Sequence, residues 1–208
     1  MTGLRLRAQG LCWSHDGRRV LDGLDLDVMP GELLAVVGPT DVGKTALLHV
    51  LAGVTPPDAG RVWTHDAAGP LGGAALVPQS IALVDELTVA ENVALAALIS
   101  SGRPAAGLDE LLASLGLDRL RARMADEISV GERQRTMVAR AVAGAPSLVL
   151  ADEPTAHQDQ RHADAVLAQL RAVADRGGAC VVASRSPATA SAVATRTVEL
   201  VDGRLAER

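Results

Sequence analysis

The sequence predicts an α/β protein built on a mainly parallel sheet, and three observations carry the prediction. Apolar strand-like runs alternate with helical segments along much of the chain, the pattern of a parallel sheet flanked by helices. Residues 33–37 are apolar without interruption, as in a strand covered on both faces. A glycine-rich turn follows directly and opens into a helix, making a strand–turn–helix unit. The 208 residues are 48% hydrophobic and 22% charged, which suits one domain with a substantial core.

The elements follow in order. Residues 4–28 alternate around two expected turns, Asp16-Gly17 and Asp22-Gly23; Leu24, Leu26 and Val28 face one way, Asp25 and Asp27 the other. After the buried strand and its turn, residues 45–52 read as a short helix stopped by Gly53 and Pro56-Pro57. Residues 58–77 read as further short strands around Gly60, Gly69 and Gly72-Gly73. From about residue 88 to 123 the pattern is helical: Thr88 with Glu91 forms a capping-box pair, and Leu108, Leu111, Leu112 and Leu115 share a face before Gly116. That stretch reads as an inserted helical subdomain. The alternation then resumes with a helix over 129–143, a strand over 147–151, a helix over about 161–176 ended by Gly177-Gly178, and a strand over 180–183.

Composition excludes several classes. A net charge of -5 argues against nucleic acid as a partner. No apolar stretch approaches the roughly 18 residues that span a bilayer, and the N-terminus lacks the apolar run of a signal peptide. Cys12 and Cys180 form neither a disulfide framework nor a metal cluster, so a soluble protein of a reducing compartment is expected. Phe and Tyr are absent, which leaves aromatic roles to Trp13, Trp63 or a histidine. Lys44 is the only lysine among 20 basic residues, pointing to a site where a compact ammonium is wanted.

Gly38-Pro39-Thr40-Asp41-Val42-Gly43-Lys44-Thr45 fits the phosphate-loop pattern G-x-x-x-x-G-K-[ST], with Ala46 following on the helix. Its glycines allow backbone N–H groups to curl around phosphates at the positive end of a helix. Lys44, read as solvent-facing in an open loop, would reach the β- and γ-phosphates, and the Thr45 hydroxyl would ligate Mg²⁺. Asp152 and Glu153 stand at the end of a second apolar strand; Asp152 suits Mg²⁺ and Glu153 a nucleophilic water. His157 and His162 read as ordinary surface histidines, with no metal role.

Ile128-Ser129-Val130-Gly131-Glu132-Arg133-Gln134-Arg135 resembles the LSGGQ signature of ATP-binding-cassette (ABC) ATPases, Pro78-Gln79 their Q-loop, and residues 153–159 their Walker B to D-loop stretch. The resemblance covers almost the whole chain, and residues 87–95 look most like the short cassettes of lipoprotein release, peptide export or cell division. It implies a P-loop NTPase fold: a RecA-like parallel-sheet core with an antiparallel β region over 1–79 and 129–208, and a helical subdomain over 80–128. It further implies an ATPase that dimerises head to tail over MgATP with a second cassette, homo- or heterodimeric, and couples to a separate transmembrane permease. Such a subunit would be cytoplasmic, peripheral on the inner face of the membrane, with cargo specificity residing in the permease. The helical subdomain would receive the permease's coupling element. Gln79, Thr45 and Asp152 would surround Mg²⁺, Glu153 would orient water, and Ser129 and Gly131 would face the partner's ATP. Ser129 also reads as a plain helix cap with Glu132.

Four positions depart from the family pattern. Asp41 replaces a glycine, placing a carboxylate near phosphates, where it is repulsive unless it points away. Val130 replaces the first signature glycine, and His15 occupies the place of the adenine-stacking aromatic, with Trp13 as the alternative. Arg185, followed by Ser186-Pro187, stands where the family has its switch histidine, which touches the γ-phosphate. Arginine has no acceptor and a permanent charge, so Arg185 can grip the γ-phosphate, pair with Glu153 and slow turnover. A poorly hydrolysing, nucleotide-gated regulatory cassette is therefore the rival reading. A P-loop kinase or other NTPase would have no use for residues 129–135.

Overall fold

The computed structural model describes residues 3–65, 73–103, 105–186 and 192–207. Leu6–His15 (β1) and Arg18–Val28 (β2) form a hairpin closed by Asp16-Gly17, both at positive φ as a tight two-residue turn requires. Asp22-Gly23, expected as a second turn, instead lies inside β2. The pairing steps from Leu11↔Leu24 to Trp13↔Leu21, leaving an extra residue on β2 that is absorbed as a bulge with Gly23 at φ 64°. Ala59–Thr64 (β4) adds to β1, giving an antiparallel sheet of order β2-β1-β4. Leu24, Leu26 and Val28 are buried, while Asp25 and Asp27 face out, as their alternation predicts.

The second sheet has six strands: Leu33–Val37 (β3), Ala74–Val77 (β5), Leu148–Asp152 (β6), Ala179–Ser184 (β7), Arg196–Val201 (β8) and Arg204–Glu207 (β9). Its order is β5-β6-β7-β3-β8-β9, parallel except for the antiparallel β8–β9 pair. Alternate residues of β6 and β7 serve two cores, which is why these strands read as continuous apolar runs. Leu148, Leu150, Val181 and Ala183 face helix α1 (Lys44–Leu51) and the antiparallel sheet. Val149, Ala151, Cys180 and Val182 face α4 (Val130–Ala143) and α5 (Gln160–Asp175). Gly69, Gly72 and Pro187 lie outside the described residues.

Between β5 and α4 lie α2 (Val89–Ser101) and α3 (Leu108–Ser114). Thr88 and Glu91 complete the capping box on α2. In and after α3, Leu112 and Leu115 are buried, and Leu108 and Leu111 pack half-buried beside them. Buried Asn92 ties the preceding loop to α2: its amide donates to the carbonyls of Val84, Leu87 and Thr88, and its oxygen accepts from Val84 N.

Candidate functional site

The sheet order brings the C-terminal ends of β5, β6, β7 and β3 to one edge, the usual ligand-binding edge of an open parallel sheet. β3 pairs Val37 with Ser184 of β7, and β7 pairs Ala183 with Asp152 of β6. The residues following each strand are therefore neighbours. Gly38-to-Thr45 follows β3, Glu153 follows β6, Arg185 follows β7 and Gln79 follows β5.

The loop of residues 38–43 packs tightly against β2 and β8. A Cβ on Gly38 would stand 2.9 Å from the Leu200 carbonyl oxygen, and one on Gly43 would stand 2.6 Å from Val20 Cγ1. Gly43 also sits at φ 109°, a conformation that suits only glycine. Asp41 adopts φ 63°, which aspartate tolerates better than most residues, and it is exposed, with Pro39 and Thr40 exposed beside it. Val42 is half-buried against the first core, and Ala46 is half-buried in the first turn of α1.

Lys44 departs from the expectation of a solvent-facing side chain: it is only 6% exposed. Its Nζ donates to the carbonyls of Gly38 and Pro39 at 2.8 Å each, folding the chain back across its own loop. Burial lowers the ammonium pKa, opposed first by the charge of Glu153 and then by that of Asp152. Thr45 Oγ1 donates to Asp152 Oδ2 at 2.5 Å, so the two proposed Mg²⁺ ligands, far apart in sequence, are in direct contact. A hydroxyl and a carboxylate held together in this way are the hard oxygen donors that Mg²⁺ takes. Gln79 is exposed, two residues past the end of β5.

Glu153 is buried, at φ 48°, with its backbone N–H donating to the Ala183 carbonyl. Its Oε1 lies 3.2 Å from Arg185 Nε, an ion pair whose angles fall short of a hydrogen bond. Burial pushes the Glu153 carboxyl above its usual pKa, while Arg185 and then Lys44 pull it back. The Arg185 side chain remains 56% exposed.

Ser129 caps α4. Its N–H and Oγ donate to Glu132 Oε2 at 2.8 and 2.7 Å, and its Oγ accepts from Glu132 N at 3.3 Å. Val130 is 52% exposed beside it. Gly131 backs onto residues 157–158, and a Cβ there would stand 2.8 Å from the His157 carbonyl oxygen. Within this chain Ser129 and Gly131 thus bond to Glu132 and Gln158 rather than to the phosphate-type loop. His15 stacks on Trp13, with ring centroids 5.6 Å apart and planes at 15°. Trp13 packs on the core and His15 is exposed, so the two sequence alternatives form one stacked pair.

Sequence reasoning missed two residues that organise the site's surroundings, Asn92 and Gln158. Asn92 had a signal: it is a polar residue on the same helical face as Val89 and Val93.

A family model described as "ABC transporter" matches residues 21–156. The chain is 36% identical over 203 residues to the lipoprotein-releasing system ATP-binding protein LolD 1 of Rhodopseudomonas palustris, covering 90% of this chain and 89% of the relative. It is 37% identical over 215 residues to the hemin import ATP-binding protein HmuV of Thermobifida fusca, covering 97% and 75%. A solved structure of an ATP-binding subunit of an ABC transporter superposes with TM-score 0.88 at 26% identity, covering 96% of this chain and 87% of that one.

Proposed function

The chain belongs to the ABC transporter family, and from that membership we propose that it binds MgATP, closes over it with a second cassette, and couples hydrolysis to a separate membrane permease. One observation carries the assignment to this chain's own residues. Lys44, the Thr45–Asp152 contact, Glu153 and Arg185 converge at the C-terminal edge of three adjacent strands, β6, β7 and β3.

The chemistry follows from these groups. Backbone N–H groups of residues 38–45 and the ammonium of Lys44 would hold the phosphates; Lys44 would exchange its two loop carbonyls for phosphate oxygens. When bound, Mg²⁺ would neutralise phosphate charge, held by Thr45, Asp152 and Gln79. Glu153 would orient the attacking water, since a carboxylate there can accept its proton. Ser129 and Gly131 lie on the exposed first turn of α4, a positive helix end available to a partner's nucleotide. His15 and Trp13 offer a stacked surface for a base.

The finer part of the proposal is slow turnover. Arg185 occupies Glu153 as an ion-pair partner and can offer the γ-phosphate donors but no acceptor. The comparisons lend no support to a cassette that has lost hydrolysis, so the reading is of an ATPase, peripheral on the inner membrane face. The relatives' names, lipoprotein release and hemin import, support a transport role. No helix among the described residues is long and apolar enough to cross a membrane.

The test is to neutralise the water-orienting group. Purified Glu153→Gln should elute as a dimer when incubated with MgATP and as a monomer without it, because the closed state reopens through hydrolysis. Monomer at saturating MgATP, both alone and with its partner cassette, would overturn the closure reading.

A further inference from the structure

In the loop that follows Glu153, two side chains, Gln158 and Arg135, together join three parts of the molecule. Gln158 Nε2 donates to the Gly131 carbonyl in the first turn of α4 at 2.8 Å, and Gln158 Oε1 accepts from Arg135 Nη1 at 2.7 Å. Arg135 donates through Nε to the carbonyl of Leu115, at the corner after α3, at 2.8 Å. Arg135 is 6% exposed, so this guanidinium is spent on internal contacts. Desolvation lowers its pKa, opposed by the charges of Glu132 and Asp159.

The flanking backbone is held at both sides of Gln158. His157 sits at φ 61° with its carbonyl against Gly131, where a Cβ would stand 2.8 Å away. Asp159 caps α5 by accepting from His162 N at 2.9 Å. Between these two points the Gln158 amide is used at both ends, as a donor to a carbonyl and an acceptor from a cation. Glutamate would keep the acceptor and lose the donor; leucine would keep the bulk and lose both.

The geometry points to Gln158 as a positioning residue that sets the first turn of α4, with Ser129 and Gly131, against the loop that begins at Glu153. The inference rests on the proposed closure, because that turn is the surface offered to the partner's nucleotide. Gln158 touches no residue of the 38–45 loop in its hydrogen bonds. Its loss therefore weakens closure and leaves ATP binding to the single chain intact.

The experiment compares Gln158→Leu and Gln158→Glu with the unsubstituted chain in three measurements. A fluorescent ATP analogue should bind each monomer within about twofold of the parent. Amide hydrogen exchange should be faster across residues 128–136 in both variants. In the Glu153→Gln background, the protein concentration for half-maximal MgATP-driven dimerisation should rise about five- to tenfold, the effect of one net hydrogen bond. Unchanged exchange in both variants overturns the positioning role, and so does Gln158→Glu behaving as parent throughout. Faster exchange with an unchanged dimerisation midpoint overturns its role in closure. Absence of any ATP-driven dimer in the parent background overturns the closure reading itself, and exchange still decides whether Gln158 positions the turn. If Gln158→Leu does not fold, Gln158→Glu, which retains the Arg135 contact, decides alone.

Discussion

Arg185 Nε lies 3.2 Å from Glu153 Oε1, so a permanent cation faces the carboxylate proposed to orient water. The pair forms because β6 and β7 are neighbours that end in register, Asp152 opposite Ala183. The consequence we propose is kinetic. A charged donor that held both Glu153 and the γ-phosphate would stabilise the ground state without matching the transition state.

Arg185→His is therefore expected to raise the single-turnover rate of bound ATP by about tenfold, the low end of general acid–base contributions. A neutral imidazole supplies both a donor and an acceptor. Rapid-quench measurement of both proteins at saturating MgATP checks this; an equal or slower histidine variant would contradict the slow-site reading.

The burial of Glu153 predicts a pH-dependent stability. The folded protein holds the Glu153 proton more tightly than the unfolded chain does, since burial raises its pKa above the ordinary 4.5. That contribution is fully present below the ordinary value and is lost as pH rises through the raised folded value. Glu153→Gln should then melt above the parent near neutral pH, with the gap closing as pH falls toward the ordinary carboxyl range. Melting curves at several pH values measure this, and a gap that widens on acidification would show the wrong sign.

Lys44→Ala should abolish measurable MgATP affinity in calorimetry. Its effect on folding should be small, within about 1 kcal/mol, because two opposed terms are removed together. The variant loses two hydrogen bonds to loop carbonyls and also the cost of burying an ammonium. Retained affinity would contradict the phosphate-loop assignment.

Asn92→Ala should destabilise the fold by about 1–2 kcal/mol, because it removes a buried amide that accepts from Val84 N and donates to the Val84, Leu87 and Thr88 carbonyls, leaving Val84 N without its partner. Urea unfolding gives the value. Faster proteolysis or hydrogen exchange confined to residues 81–88 should accompany it.

Much of the fold was legible because its determinants are local. A capping box needs only Ser129 and Glu132, or Thr88 and Glu91, three residues apart. A doubly covered strand declares itself in five apolar residues, 33–37. The phosphate-type loop is written in eight consecutive residues, and the single lysine marks it. What the sequence alone determined was thus the element types, the loop and the carboxylates at a strand end. Tertiary structure alone decided where side chains that cross between elements go. Asp22-Gly23 carries a turn dipeptide yet forms a bulge, because β1 continues opposite it and register overrides local preference. Lys44 turns inward because the carbonyls of Gly38 and Pro39 lie within its reach once the loop is wound. Gln158 meets Gly131 and Arg135 across 27 and 23 residues, and no local pattern records that meeting. It exists only after sheet order and helix packing have brought the two segments side by side, where the buried Arg135 guanidinium takes the partner that desolvation obliges it to find.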